Sequence, residues 1–270
     1  MRVAVVGHVE WVQFARVEEV PSAGEIVHAS ETWGQAAGGG AVAALQLARL
    51  AGEAALFTAL GRDELGIRAR AELESGGVRV HTANHLEPQR RAFTHVDEAG
   101  ERTITVLGEK LRPRGDDDTL PWHELAECDA VYFVSGDVEA LLRARRTRLL
   151  VATARELPTL RRGAVPLDAL VGSGEDDGER YRQGDLDPAP ELIVSTAGPL
   201  GGWTQPGGPF RAAPLPGRVS DTYGAGDSFA AGLTYGLAKG LEREEALELA
   251  SRCGAAVLTG RGPYEGQLTD

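Results

Sequence analysis

The sequence predicts an α/β protein built on an open, doubly wound, mostly parallel sheet flanked by helices. Short apolar runs alternate with helical segments along the chain. These runs also lack the polar alternation of strands that have one face in water. Strands of this kind suit a parallel sheet, which is buried on both faces. The 270 residues are sufficient for one such domain with its own core.

The expected elements of this domain are short strands and longer helices, separated by turn residues. The predicted strands are 3–6, 54–60, 131–134, 149–152, 167–171 and 192–195, and the predicted helices are 41–50, 64–75, 228–239 and 243–258. Gly52 and the pair Gly76-Gly77 follow the first two helices. Glycine is common there because it adopts the left-handed backbone that ends a helix.

Two segments depart from this alternation, and we predict that they form a small β-sheet lid. Residues 9–31 and 91–107 each resemble a pair of extended strands, with turns at 21–24 and 97–100. Alternating side chains in the second segment support strand structure there. We therefore expect residues 1–270 to form a single domain that carries this lid.

Composition excludes several classes of function. Forty acidic and 28 basic residues give a formal charge of −12, which opposes a broad nucleic-acid-binding face. No apolar run is long enough to span a membrane, and the first residues predict a strand rather than a signal peptide. Cys128 and Cys253 predict neither a disulfide framework nor a metal site. We expect a cytoplasmic protein without nucleic-acid or membrane partners.

The strongest chemical signal is the segment DTYGAGDSF at 221–229, a glycine-rich turn that leads into an apolar helix. Its glycines allow backbone N–H groups to converge at a helix N-terminus, which favours binding of a phosphate. Asp227 lies in the first helical turn, where its carboxylate can accept a proton from an attacking hydroxyl. The alternative is structural: Gly224 and Gly226 shape a turn, and Asp227 or Ser228 caps the helix.

This segment resembles the second signature of the PfkB carbohydrate kinase family, the ribokinase-like kinases, whose pattern is D-T-x-G-A-G-D-x-F. The resemblance implies a ribokinase-like fold. It implies that Asp227 is the catalytic base that deprotonates the acceptor hydroxyl. It also implies that Gly224, Ala225 and Gly226 form the anion hole for the transferred phosphate.

Three weaker motifs follow the order of the same family along the chain. Residues 195–202 resemble its T-x-G-x-x-G nucleotide loop, 38–41 resemble its substrate-side glycine signature, and 21–25 resemble the P-x-x-G-E of its lid strands. The resemblance assigns Thr196, Gly198, Gly201 and Thr222 to ATP, and it assigns Glu10, Gly38, Gly39, Gly40 and Asp221 to the acceptor.

The chain departs from the family pattern on the substrate side. Val42 stands where the first signature usually has an asparagine. A sugar-binding aspartate of the first strand is missing, and Glu10 or Val12 stands near its position. These departures leave the identity of the acceptor open.

A third departure concerns the expected metal. The family motif N-x-x-E, which helps to order Mg²⁺ and phosphate, corresponds here to S-x-x-D at residues 173–176. Asp176 or Glu175 is the expected carboxylate near Mg²⁺, acting through water. An acidic surface loop is the alternative.

The motifs together predict ATP-dependent phosphorylation of a hydroxyl on a small sugar or sugar derivative. A nucleoside kinase of the same fold and a catalytically weak, metabolite-binding protein of this fold are the alternatives. ATP and Mg²⁺ are the expected cofactors, and a monovalent cation is a further candidate. Lid closure would exclude water from the transfer. The resemblance also suggests a homodimer formed through the lid sheet.

Other chemistries fit the sequence less well. Lys110 and Lys239 are the only lysines, and neither follows the glycine pattern of a Walker-type phosphate loop. Residues 38–43 match a loose dinucleotide-binding pattern, but no acidic residue ends the next strand. His81 and His85 are four residues apart, and we expect a polar loop pair there rather than a metal site.

Overall fold

The computed structural model describes residues 1–269, and over that range the chain forms two β-sheets. In chain order the strands are β1 (Val3–Val6), β2 (Glu10–Arg16), β3 (Glu31–Ala37), β4 (Ala54–Gly61), β5 (Val78–His85), β6 (Arg91–Val96), β7 (Arg102–Leu107), β8 (Ala130–Phe133), β9 (Leu150–Thr153), β10 (Ala169–Ser173), β11 (Leu192–Thr196), β12 (Gly202–Gln205) and β13 (Gly208–Phe210). The helices are α1 (Gly39–Ala51), α2 (Glu64–Ser75), α3 (Val138–Ala144), α4 (Leu157–Gly163), α5 (Ala225–Ala238) and α6 (Arg243–Val257).

The large sheet has the strand order β13-β12-β11-β10-β9-β8-β1-β4-β5. Its strands from β11 to β5 are parallel, and β12 and β13 add an antiparallel edge. The strand order reverses at β1, which lies between β4 and β8. In open α/β sheets such a reversal creates a crevice at the carboxyl ends of the strands, and ligands bind there.

Helices cover both faces of the large sheet, as the unbroken apolar strands predict. Along β1, Val3 and Val5 pack into the core that contains α1, α5 and α6. Ala4 and Val6 point the other way, into the core that contains α3 and α4. The predicted α/β class with a mostly parallel sheet is therefore confirmed, and the predicted strands and helices of this sheet are present with small shifts at their ends.

The small sheet has the order β3-β2-β6-β7, and its position along the chain differs partly from the prediction. The pair in 91–107 is confirmed as β6 and β7, joined by a turn at 97–100. In the first pair, however, β3 begins at Glu31, where the predicted segment ends, and residues 17–30 form a long connection. The half-buried β3 contains Trp33 and Gly34 and lacks a clear alternation, which hid it in the sequence.

Some elements are present where the sequence analysis expected loops. His81 and His85 lie on β5, so the expectation of a loop pair is wrong. His81 packs against Phe57, with ring centroids 4.8 Å apart, which gives it a structural role. Residues 199–216, where no strand is predicted from the sequence, contain the hairpin of β12 and β13. Over residues 1–269, no helix is both long and apolar enough to cross a membrane.

Candidate active site

The candidate site lies at the carboxyl edge of the large sheet, beside β1. The chain leaves β1 through Gly7 and His8, and the N-termini of α1 and α5 approach the same place. A Cβ atom on Gly39 would lie 2.8 Å from Asp227 Oδ1 and 2.9 Å from Val134 Cγ1. Glycine at this position therefore lets the start of α1 come into contact with the start of α5.

Asp227 lies in the first turn of α5, at the centre of this junction, and is partly exposed. Burial raises the pKa of its carboxyl to about 6, and the negative charges of Glu179 and Glu10 contribute in the same direction. Arg102 and Arg155 oppose the shift. Asp227 is thus ionised at neutral pH but is a stronger base than an ordinary aspartate, a state suited to proton abstraction.

The N-terminus of α5 offers backbone donors next to this carboxylate. The helix begins after Gly224, whose φ of +82° is in the left-handed region, and no side chain caps it. The alternative that Asp227 or Ser228 caps α5 is therefore wrong. Instead, the hydroxyl of Ser228 accepts a hydrogen bond from the Gln267 side chain at 3.3 Å. The first-turn N–H groups of a helix lack intrahelical acceptors and can bind an anion.

The two glycines of this motif have different explanations. Gly224 needs its left-handed φ, and a Cβ there would lie 2.9 Å from Val42 Cγ1. Gly226 is exposed, its φ is not left-handed, and apart from its chain neighbours and its own helix backbone no protein atom lies within 4 Å of the position that a Cβ would occupy. Protein packing therefore does not account for Gly226, and the open space above it fits a bound phosphate group.

Asp221 and Thr222 connect this loop to its surroundings. Asp221 is fully buried, and its carboxylate accepts hydrogen bonds from the N–H groups of Tyr223 at 2.8 Å and Gly262 at 3.1 Å. Its contacts are thus internal, and burial raises the pKa of its carboxyl. The backbone carbonyl of Thr222 accepts a hydrogen bond from Arg102 at 2.6 Å, and its buried hydroxyl has no partner among residues 1–269.

The loop predicted to contact ATP follows β11 at the same edge of the sheet. A single turn of 3₁₀ helix at Gly198–Leu200 is closed by the Ala197 N–H, which donates to Gly201 O at 2.8 Å. Gly198 and Gly201 both have left-handed φ angles, of +49° and +90°. Gly198 is exposed, whereas Thr196 is half-buried at the end of β11.

The carboxylates expected near Mg²⁺ lie close to this loop, and one of them, Asp176, is paired with an arginine. Arg155 Nη2 lies 2.6 Å from Asp176 Oδ2 and 2.5 Å from Glu179 Oε1. Glu175 is exposed beside Gly198. Glu179, which the sequence analysis missed, is the nearby carboxylate that raises the pKa of Asp227. Over residues 1–269, no cluster of three or more His, Cys, Asp or Glu side chains is placed to hold a metal ion.

The acceptor side contains the predicted Glu10 and the glycine turn before α1. Gly38 has a φ of +84°, and a Cβ there would lie 3.2 Å from Glu10 Cγ. A Cβ on Gly40 would lie 2.6 Å from His8 O. Glu10 is buried, with Arg90 Nε 3.0 Å from its Oε1, and burial raises the pKa of its carboxyl. Arg90 was missed, because no local motif links a lid residue to β2.

Comparison with known proteins gives one family and several relatives. The family model described as pfkB family carbohydrate kinase matches residues 1–157 and 170–270. The ATP-dependent ribose-1-phosphate kinase of Halopiger xanaduensis is 28% identical over 302 residues, covering 100% of this chain and 96% of the relative. The fructokinase of Salmonella typhimurium is 29% identical over 295 residues, covering 85% of this chain and 90% of the relative.

A solved structure with the same fold is the Arabidopsis thaliana ribokinase complexed with ribose and ATP. It superposes with a TM-score of 0.75 at 18% identity, and the match covers 99% of this chain and 95% of that one. At this level of identity the likeness concerns the fold: a large sheet flanked by helices, with a small separate sheet.

Proposed function

Since this chain belongs to the PfkB family of carbohydrate kinases, and is therefore a phosphotransferase, we propose that it uses Asp227 as the base in ATP-dependent phosphorylation of a sugar hydroxyl. The acceptor class is a small sugar or sugar derivative. The observation that carries the proposal is the contact between the starts of α1 and α5. This contact brings the glycine turn of the acceptor side against Asp227, whose pKa is about 6 and which lies in a helical first turn that no side chain caps.

Each part of the site has a role in this reaction. Asp227 removes the proton from the acceptor hydroxyl as the oxygen attacks. The N–H groups of Gly224, Ala225 and Gly226, with the positive end of the α5 dipole, stabilise charge on the transferred phosphate. The loop from Thr196 to Gly201 and the unpartnered hydroxyl of Thr222 are directed to the nucleotide. Asp221 holds the glycine loop against Gly262 and so acts as a positioning residue.

The acidic loop after β10 fits Mg²⁺ carried by ATP rather than a metal held by protein alone. Mg²⁺ usually keeps several waters and takes one or two carboxylates together with substrate phosphates. Asp176 and Glu179, both paired with Arg155, would hold such an ion through water, with Glu175 as an outer candidate. Bound Mg²⁺ would offset the negative charge of the phosphates. A monovalent cation remains a candidate activator.

The small sheet acts as a lid in this proposal. Arg102, at the start of β7, donates to the Thr222 carbonyl, and the Thr222 N–H donates to Gly100 O at 2.9 Å. The lid thus contacts the phosphate-binding loop directly, and its closure would keep water from the transfer. Ile104 and Val106 of the edge strand β7 remain 40% and 45% exposed, and we propose that a second copy of the chain covers them.

Replacing Asp227 tests the mechanism. We expect Asp227→Asn to lower kcat by about 10² to 10⁴, the usual contribution of a general base, while ATP affinity is retained. The assay is ATP consumption over a panel of sugars, sugar phosphates, sugar acids, polyols and nucleosides, with the exposed Asp118→Asn as the matched control. Activity that survives Asp227→Asn would contradict the mechanism.

Two further results would favour the alternative functions. A nucleoside turned over more efficiently than any sugar would favour a nucleoside kinase of the same fold. ATP binding without turnover of any acceptor would favour a metabolite-binding protein.

A further inference from the structure

Three cations gather on the acceptor side of the site, and the proposed phosphate transfer uses none of them. Arg90 precedes β6, while Lys110 and Arg112 follow β7, so all three lie at the ends of lid strands. Glu10, the partner of Arg90, also lies 3.6 Å from Nε2 of His8, in the connection from β1 to β2. Burial lowers the pKa of His8 well below its usual value, and the positive charges of Lys110, Arg90, Arg112 and Arg155 lower it further. His8 is therefore neutral and adds no charge to this cluster.

The carboxylates paired with these cations do not balance their charge. Arg90 pairs with Glu10, while Lys110 Nζ lies 3.6 Å and Arg112 Nη1 3.8 Å from the two oxygens of Glu156. Glu10 and Glu156 side chains are only 8% and 5% exposed. Three cations against two carboxylates leave an excess positive charge. Arg112 is 43% exposed, but the Arg90 and Lys110 side chains are only 14% and 19% exposed, and holding their charge there is costly without an anionic partner.

Two buried nitrogens of the same cluster also lack a partner. His8 Nδ1 and Arg90 Nε have no hydrogen-bond partner among residues 1–269, and His8 is 9% exposed. Arg90 Nε is close to Glu10 but is not aligned for a hydrogen bond with it. Buried polar atoms of native proteins are usually satisfied by protein, water or a ligand, and a ligand with acceptor oxygens would satisfy Arg90 Nε. A phosphate monoester supplies this acceptor and the missing negative charge, because it carries nearly two negative charges and three acceptor oxygens.

The cluster and the proposed base are joined by consecutive residues. Gly38 packs against Glu10, the partner of Arg90, and Gly39 packs against Asp227. The cation cluster and Asp227 thus lie next to consecutive residues of the same glycine turn. A sugar bound across this turn would place one end at the cations and a hydroxyl at Asp227.

On the basis of the proposed kinase function, we propose that the acceptor is itself a sugar phosphate. Arg90, Lys110 and Arg112 bind the phosphate that it already carries, and a free hydroxyl of the same molecule lies at Asp227. The bond that forms joins this hydroxyl oxygen to the γ-phosphorus of ATP, the bond to the ADP oxygen breaks, and the hydroxyl proton goes to Asp227. The product is a sugar bisphosphate.

Matched acceptors test the proposal directly. We would compare ribose, ribose 1-phosphate, ribose 5-phosphate and the sugar acid ribonate in the ATP-consumption assay. Fructose and fructose 6-phosphate give a second matched pair. We expect kcat/KM for a phosphate ester to exceed that for the matching free sugar by at least about 100-fold.

Variants of the cluster distinguish a binding role from a structural one. We expect Lys110→Met and Arg112→Gln each to raise KM for the sugar phosphate by about 10- to 100-fold with little change in kcat. Lys110→Arg should retain most of the affinity, and the exposed surface variant Arg146→Ala should change nothing. A purely structural ion-pair network would lower kcat/KM equally for free and phosphorylated sugars, and that result would overturn the proposal.

Binding measurements on a variant that lacks the proposed base test the phosphate site independently of the kinase mechanism. Calorimetry on Asp227→Asn protein should detect the sugar phosphate, and Lys110→Met in that background should weaken binding by about 10-fold or more. A free sugar or ribonate turned over at higher kcat/KM than every sugar phosphate, with Asp227-dependent activity, would overturn the phosphate site and leave the kinase function standing. Calorimetric binding that depends on Lys110, without turnover, would support the phosphate site and contradict the kinase function.

Discussion

The environment of the Asp227 carboxylate suits the role of general base that we propose for it. Burial and two nearby carboxylates raise its pKa, whereas Arg102 and Arg155 limit the shift. An aspartate with an ordinary pKa would be a weaker base, and one with a much higher pKa would be protonated at neutral pH. The opposing charges keep the residue between these limits.

This pKa predicts a pH dependence of the activity. The base must be unprotonated, so kcat/KM should fall as the pH decreases through about 6, the pKa of Asp227. Glu179→Gln should move this midpoint down, because it removes a charge that raises the pKa, and Arg102→Ala should move it up. Profiles measured from pH 5 to 8 check both directions. A flat wild-type profile over this range would contradict the role of Asp227.

The same pKa predicts a cost in stability. In the folded protein Asp227 binds its proton more tightly than in the unfolded chain, so stability is lost as the pH rises from about 4 to about 6. Asp227→Asn should therefore raise the free energy of unfolding at pH 7 by about 1–3 kcal/mol. Denaturant unfolding at pH 7 and below pH 4 measures this, because the gain should vanish in acid. An equal gain from Asp118→Asn would contradict the explanation.

The N-terminus of α5 presents backbone N–H donors that no side chain caps. Gly224 sets the left-handed entry to the helix, and Gly226 leaves open space above the first turn. The same sequence would form the helix with alanine at 226, because alanine is the better helix former. The fold thus does not require this glycine, and the phosphate that we propose to bind there accounts for it.

This difference predicts separate effects on stability and activity. Gly226→Ala should leave the free energy of unfolding unchanged or slightly higher, because the new Cβ meets no protein atom beyond its chain neighbours and its own helix backbone. It should still lower kcat by about 10-fold or more, since the Cβ would enter the space proposed for the transferred phosphate. Thermal unfolding and the kinase assay measure the two effects. Full activity in this variant would contradict the anion-hole assignment of Gly226.

Across the whole molecule, the lid and the body are joined at both ends of the site. Arg261 Nη1 lies 2.5 Å from Glu31 Oε1, and the Arg261 guanidinium lies over the Trp33 ring of β3. Arg102 of the other lid edge donates to the Thr222 carbonyl in the loop before α5. The lid therefore contacts the body through both of its edge strands, and its edge strand β7 is exposed.

This exposed edge predicts the oligomeric state. If a second copy covers Ile104 and Val106, the protein should have twice the 28.6 kDa mass of one chain in solution. Val106→Glu should then give monomers, because a buried unpaired charge opposes association. Light scattering coupled to size-exclusion chromatography measures the mass, with Ile67→Glu on the exposed face of α2 as the control. A monomeric wild-type protein would contradict the dimer.

Prediction from the sequence was most accurate for features that depend on residues close together in the chain. Unbroken apolar runs predicted the strands of the large sheet, and the motif at 221–229 placed Asp227 and its glycines at a helix start. The lid was located less well, because β3 is half-buried and its pattern is weak. His81 looked like a loop residue because its contacts with Phe57 and Glu124 come from distant parts of the chain.

The sequence by itself determined the fold class, the glycine turn before α5 and the identity of the proposed base. Those features depend on residues close together in the chain. Only the tertiary structure brought Arg90, Lys110 and Arg112 to His8, and placed Glu179 where it raises the pKa of Asp227. These residues lie in separate lid and sheet segments. Their charges act together only because parallel strands end at one edge and the lid closes over it.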